Sequence, residues 1–331
     1  MKVIMPKNLV VAVATVAAIV SAAAYLAQAA SARGDDSAKT CDRACLENLV
    51  DKYLAALVAH DPSQLPITDD VRFTENDVTL KLGEGLWRTA SGLDAYRHTI
   101  EDPDSGQIAL FATIRENGMG DILVARIKSR NQRISELETI VIRTPSGAVA
   151  YDKFGKLGPV WNEIPPRDKR ISRERLIYTA NLYLNGMQKN DGKGNYSFFA
   201  PDCQRIENAV QATNVPKLND GHSINQSFAT LGCEAQFKLG MMGFVTNIRD
   251  RRYPIVDEEK QEVVAFSILD HDSTVRELPL TDGTTNYSPP YFLTPRTLPV
   301  TDAFKFKDGK IRFIEMTLTE APWGSNSGWE K

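Results

Sequence analysis

Two short stretches carry the residues best suited to acid–base chemistry. "VRFTEN" (71–76) and "QRIEN" (204–208) each set an arginine, an apolar residue and a Glu-Asn pair within a few residues of expected strand. A carboxylate held away from water gains basicity, and a nearby cation stabilises the oxyanion that forms when the carboxylate removes a proton. Arg72 with Glu75, and Arg205 with Glu207, are the pairs to weigh. Glu75 follows Arg72 by three, so on a regular strand the two face opposite sides. A bulge at Thr74 would bring them together, and a salt bridge on the rim is the competing assignment. Glu138 and Glu315 stand in alternating strands; on a concave apolar face either would be a base, and on an outward face only a surface charge. His98 ("AYRHTI") and His222 ("DGHSIN") fall midway through each half, and imidazole suits proton transfer near neutral pH. His60 ends the first helix and His271 follows the strand "FSILD".

Other chemistries are not encoded. There is no GxSxG, HExxH, Walker loop or GxGxxG after a strand, which excludes the nucleophile-elbow hydrolases, zinc proteases and nucleotide enzymes that use them. A net charge of -3 with scattered Lys and Arg speaks against nucleic-acid binding. No histidine sits at ligand spacing beside Cys41, Cys45, Cys203 or Cys233, so no metal site is expected. The N-terminal segment opens with Lys2 and Lys7, runs uncharged from Leu9 to Val20 and ends in small residues. It reads as a secretory signal peptide over 1–32, with an uncleaved anchor as the rival, followed by a flexible leader over 33–40. Export to the periplasm or outside the cell suits an even cysteine count. Four cysteines allow three pairings; Cys41–Cys45 and Cys203–Cys233, each within one half, is the one expected. The sequons at Asn195, Asn225 and Asn286 matter only where exports are glycosylated.

The elements repeat. "KYLAALVAHD" (52–61) matches "LYLNGMQKND" (182–191), "LFATIRE" (110–116) lies over "GFVTNIRD" (243–250), "LVAR" (123–126) over "VVAF" (263–266), and "ISELE" (134–138) over "IRFIE" (311–315). Five matches in one order, counting the opening stretch, indicate a tandem duplication. Each copy starts with a long amphipathic helix. Short strands follow, then a second helix near "SGLDAYRHTI" or "HSINQSFATLG", then long alternating antiparallel strands. The fold class expected is α+β: two tandem cone-shaped rolls, each with helices packed on a strongly bent antiparallel sheet. The stretch from Thr144 to Arg170 is rich in Gly, Pro and charge and reads as a surface linker. A proline-rich insertion at about 270–302 is long enough for a lid or binding loop.

The first helix, the "RFTEN" strand, the "GEGLW" turn (83–87) and the terminal "FKFKDGKIRFIEM" hairpin resemble the nuclear-transport-factor-2-like, or SnoaL-like, superfamily. More narrowly, they resemble exported bacterial and fungal proteins that carry this domain in tandem. The resemblance covers nearly all of 41–320, giving a first domain over 41–145, a linker over 146–170, a second domain over 171–320 and a tail over 321–331. Its motifs are more specific for fold than for activity, because the superfold serves many functions. The resemblance implies an apolar cone holding a few polar side chains, with no cofactor. In those terms Glu75 or Glu138 takes the proton and Arg72 or His98 stabilises the oxyanion. Tyr53, Trp87, Tyr96 and Arg115 contact the substrate, although Arg115 also reads as a rim charge. Arg205, Glu207, His222 and Glu315 are the second-copy candidates, with Tyr287, Tyr291 and Phe292 as further aromatics; the first copy is the expected working site.

Two function classes follow. One is a cofactor-independent lyase, isomerase or dehydratase acting on a hydrophobic, aromatic small molecule; family members include formaldehyde-releasing lyases on lignin-derived biaryls. The other is a non-catalytic periplasmic ligand-binding or interaction protein. The partners expected are a hydrophobic ligand and a second copy of the chain, with no nucleic acid and no membrane span after cleavage.

Overall fold

The computed structural model describes residues 40–154, 158–216 and 228–329. The expected signal peptide, nearly all of the leader, and His222 lie outside the described residues. None of the described helices is long and apolar enough to cross a membrane.

In the first half, α1 (Arg43–Val58) is capped by the Asp42 carboxylate, which accepts from the Cys45 N–H at 2.9 Å. Leu46, Leu49, Val50, Tyr53, Leu54 and Leu57 recur at three and four and give the helix one buried face. Six strands follow: β1 (Ile67–Glu75), β2 (Val78–Thr79), β3 (Ala90–Asp102), β4 (Gln107–Glu116), β5 (Met119–Arg130) and β6 (Arg133–Ile142). The second helix, α2, spans Pro145–Phe154.

The second half repeats the scheme with α3 (Arg173–Met187), β7 (Phe199–Glu207), β8 (Val210–Gln211), α4 (Cys233–Leu239), β9 (Asn247–Asp257) and β10 (Glu262–His271). A short hairpin, β11 (Glu277–Pro279) and β12 (Thr285–Tyr287), precedes the closing strands β13 (Arg296–Lys307) and β14 (Lys310–Leu318). The two six-stranded sheets share one order, β2-β1-β6-β5-β4-β3 and β8-β7-β14-β13-β10-β9. In each, the first long strand pairs parallel with the last, and the other pairings are antiparallel.

The recurring Glu-Asn pair has a structural cause. β1–β2 and β7–β8 are joined by two-residue turns in which both residues have positive φ: Asn76 and Asp77, then Asn208 and Ala209. Such turns favour Asn, which tolerates the left-handed region. Each Asn also braces the neighbouring strand. The Asn76 amide donates to the Val141 carbonyl at 3.1 Å and accepts from the Val141 N–H at 2.7 Å; Asn208 does the same with Leu318 at 3.0 and 2.9 Å.

One face of each sheet packs on its own helix. The opposite faces meet each other, with Ile100, Phe111, Val124 and Ile140 against Ile255, Val264, Phe266 and Ala303. Burying a side chain of this size stabilises by about 1.5–3 kcal/mol, so the contact between halves is a third core. The disulfides are Cys41–Cys45 and Cys203–Cys233, which fit an oxidising compartment.

Several expectations need correction. "SGLDAYRHTI" is strand β3, not helix: Tyr96, His98 and Ile100 are buried in period two while Arg97 is exposed. The expected surface linker contains α2, whose Tyr151 is fully buried, and Trp161 inserts between the sheets. By strand order β4 corresponds to β10 and β5 to β13, so two of the sequence matches are one strand out of register. The extra residues of the second half are divided, some between β8 and β9 and some between β10 and β13. The second group ends before Arg296, because 296–307 is a central strand.

Candidate functional site

Strand spacing decides which charged residues face inward. β1 and β6 pair without a break from Arg72–Glu136 to Glu75–Thr139, so there is no bulge at Thr74. Arg72 therefore points away from Glu75. Its guanidinium is exposed and lies 4.0 Å from the ring centroid of Trp329, whose indole N–H donates to Thr74 Oγ1 at 2.9 Å. Glu75 is buried and accepts from the Leu86 N–H at 2.7 Å, with Arg143 at 3.3 Å. It thus anchors the turn at 85–88, where a Cβ on Gly85 would come within 2.3 Å of its carboxylate. Tyr53 and Trp87 meet edge-on at 5.8 Å in the packed interior of this half. Arg115 is a rim residue, half exposed and paired with Asp94 at 2.8 Å.

Glu138 and Glu315 occupy neither a concave pocket nor the surface. Both lie on the sheet faces that pack together. Glu138 accepts from Arg126 at 2.7 Å and from Arg252 of the other half at 2.5 Å. Glu315 accepts from the Tyr96 hydroxyl at 2.9 Å, and its other oxygen is 2.7 Å from His98 Nδ1. His98 and Tyr96 are thus joined to Glu315 across the interface and are nearly inaccessible to solvent.

In the second half the geometry opens. Arg205 and Glu207 are two apart on β7, so both side chains take the inner face. They pair at 2.9 Å, and Arg205 also donates to Gln236 Oε1 at 3.0 Å. Gln236 is oriented in turn by donating to the Ala212 and Phe228 carbonyls at 2.6 and 2.9 Å. The pair sits on the wall of a cavity of about 380 Å³ whose other lining residues include Met187, Met316, Phe228, Phe244, Leu269 and Leu298. Asn286, Tyr291 and Phe292, from the insertion, also line it, whereas Tyr287 is exposed and is not among the lining residues. Burial of Asn286 leaves no room there for a glycan.

Two residues not singled out from the sequence complete the arrangement. His271 ends β10 and lines the cavity. Its Nδ1 is 2.8 Å from the Phe244 carbonyl. A carbonyl only accepts, so Nδ1 carries the hydrogen and Nε2 is left as an acceptor. Burial lowers the pKa of His271, keeping the ring neutral near pH 7, and Phe292 stacks on it at 4.0 Å.

Asp302 is on β13 opposite Met316, which itself lies opposite Glu207. Neither oxygen of its buried carboxyl has a hydrogen-bond partner among the described residues. Burial pushes its pKa to about 8, against the opposing pull of Arg205, so it holds its proton at neutral pH. The i,i+2 spacing of Arg205 and Glu207 was a readable signal for this site. Asp302 was hidden within "VTDAFKF", where nothing local marks a buried acid.

This set can accept a proton at His271 or Glu207 and stabilise negative charge at Arg205. Among the described residues, no group of three or more His, Cys, Asp or Glu is placed to hold a metal ion. A sequence family described as a domain of unknown function (DUF8021) matches residues 169–318, a span that takes in every cavity-lining residue. No curated protein matches the sequence. Among solved structures, AusH from Aspergillus nidulans is similar at 16% identity, with 50% of this chain and 94% of that chain covered and a TM-score of 0.28. AclR from Streptomyces galilaeus is similar at 17% identity, with 43% and 97% covered and a TM-score of 0.27. Scores this low carry no argument about fold or activity.

Proposed function

We propose that the chain is an exported, cofactor-independent acid–base enzyme whose working site is the cavity of the second half. Its substrate is an apolar, aromatic small molecule, and its reaction is an isomerisation, dehydration or carbon–carbon lyase step. The two halves are read as copies of one cone-shaped, nuclear-transport-factor-2-like roll, a reading supported by their common strand order. The first copy has become a scaffold: its interior is packed, and its acid anchors a turn.

The observation that carries this reading is the apolar cavity walled by the Arg205–Glu207 pair and an accepting imidazole. In the mechanism, His271 Nε2 removes a proton from carbon and Arg205 stabilises the resulting oxyanion. Asp302, protonated at neutral pH, adds no second negative charge beside Arg205, which already pairs with Glu207.

A second reading, a binding protein without chemistry, is favoured by one feature: Glu207 is already paired with Arg205. Incubation with a panel of aromatic ketones and phenols, followed by mass spectrometry, separates the two. Turnover that falls by ~10²–10⁴ in Arg205→Ala and His271→Ala, but persists in Arg72→Ala, supports the enzyme. Ligands recovered bound and unchanged support the binding protein. Loss of turnover in Arg72→Ala alone would return the site to the first half.

A further inference from the structure

Of the five methionines among the described residues, four line this one cavity: Met187, Met241, Met242 and Met316. The fifth, Met119, lies exposed at a turn. The four come from separate parts of the fold, namely the end of α3, the turn after α4 and strand β14. The aromatic rings of Tyr291 and Phe292 line the same cavity. A thioether chain is unbranched and polarizable, so it refills space around ligands of different outline and makes favourable contacts with ring edges. A cavity selecting one shape is better built from Leu, Ile and Val, whose rotamers are few and fixed.

We infer that the cavity is a broad-specificity aromatic site. It accepts fused, linked and extended ring systems with similar affinity and prefers them to saturated molecules of the same size. This rests on the functional reading of the cavity given above and adds to it the range of substrates.

The probes are 2-naphthol, 4-hydroxybiphenyl and trans-4-hydroxystilbene, with decahydro-2-naphthol as the saturated control, each titrated calorimetrically into the full chain. The three phenols bind within about tenfold of one another, and the saturated alcohol binds at least about tenfold more weakly than 2-naphthol. Replacing Met187, Met241, Met242 and Met316 together by Leu spreads the three phenols over about a hundredfold. If that variant does not fold, Met241→Leu with Met242→Leu, at two half-buried positions, gives a smaller spread in the same direction. Protein made with norleucine for methionine keeps the chain flexibility and loses the sulfur. It retains the narrow spread but binds 2-naphthol and its saturated analogue alike.

A wild-type protein that binds one phenol and rejects the others overturns the inference, as does a Leu variant with unchanged breadth. Both outcomes leave the cavity as a ligand site. Failure of all three phenols to bind overturns the functional reading and the inference with it.

Discussion

Asp302 shows how a single residue links burial to pH. Its pKa is raised from the ordinary 3.8 to about 8. Below 3.8 both the folded and unfolded chains carry the proton. Between 3.8 and about 8 only the folded chain does, so stability falls as pH rises through that window and levels off above it. Asp302→Asn removes the penalty. The variant is expected to match the wild type near pH 4 and to exceed it by a few kcal/mol at pH 8 and above, as read from urea midpoints across pH. Activity follows a related logic. His271 must be neutral, and its lowered pKa keeps it so below the usual histidine range. The acid limb of kcat/KM therefore lies at lower pH than an ordinary histidine would give. The profile declines on the alkaline side as Asp302 ionises, and in Asp302→Asn that alkaline limb disappears.

At the scale of elements, two devices hold strands in place. The Asn208 turn combines a left-handed backbone with two hydrogen bonds to Leu318. Asn208→Gly keeps the backbone and loses the bonds, at a cost of about 1–3 kcal/mol, while Asn208→Ala adds roughly 1 kcal/mol of backbone strain. Denaturant midpoints of both variants check the order. The second device joins β13 to the segment before α3. Lys305 is buried, pairs with Glu262 at 3.0 Å and donates to the Glu163 and Lys260 carbonyls at 2.7 Å. Burial already raises the Glu262 carboxyl to about 7 beside Lys305. Lys305→Met therefore costs about 3–5 kcal/mol at alkaline pH, where Glu262 is ionised without its partner, and less at neutral pH, where it takes up a proton. Adding Glu262→Gln recovers part of the alkaline loss. A double-mutant cycle measures the recovery; none at all would mean that the carbonyl contacts, not the ion pair, hold the segment.

For the whole molecule, the packed sheet faces predict shared stability. Because each half buries apolar surface on the other, thermal unfolding is expected as one calorimetric transition. Two resolved transitions would show that the contact does not couple the halves. The disulfides contribute unequally. Cys203–Cys233 closes a loop with a sequence separation of 30, and Cys41–Cys45 one of 4. On loop-entropy grounds, replacing the first pair with Ser costs about 3–4 kcal/mol and the second about 2 kcal/mol. Stability of the two double-Ser variants, measured under oxidising conditions, tests that ranking.

Local patterns in the sequence were enough for the α+β class and for the helix that opens each half, because each rests on residues close together in the chain. The recurring Glu-Asn pairs read as strand, and only the structure shows the Asn in two-residue turns. The disulfide pairing agreed with the shortest closures. Strand β3 was misread as a helix because its period-two burial arises only when the second half covers Tyr96, His98 and Ile100. The candidate acids suffered the same way. Glu138 and Glu315 alternate correctly, yet which face becomes an inner pocket depends on what lies against the sheet, and here the outer faces cover each other. Arg72 and Arg205 look alike in sequence, but one residue of spacing turns the first outward and the second into the cavity. The cavity itself gathers residues from α3, β7, β10, β14 and the insertion, up to about 130 positions apart. No local pattern marks such a set, because only the tertiary packing of the sheet, helix and insertion brings those side chains together.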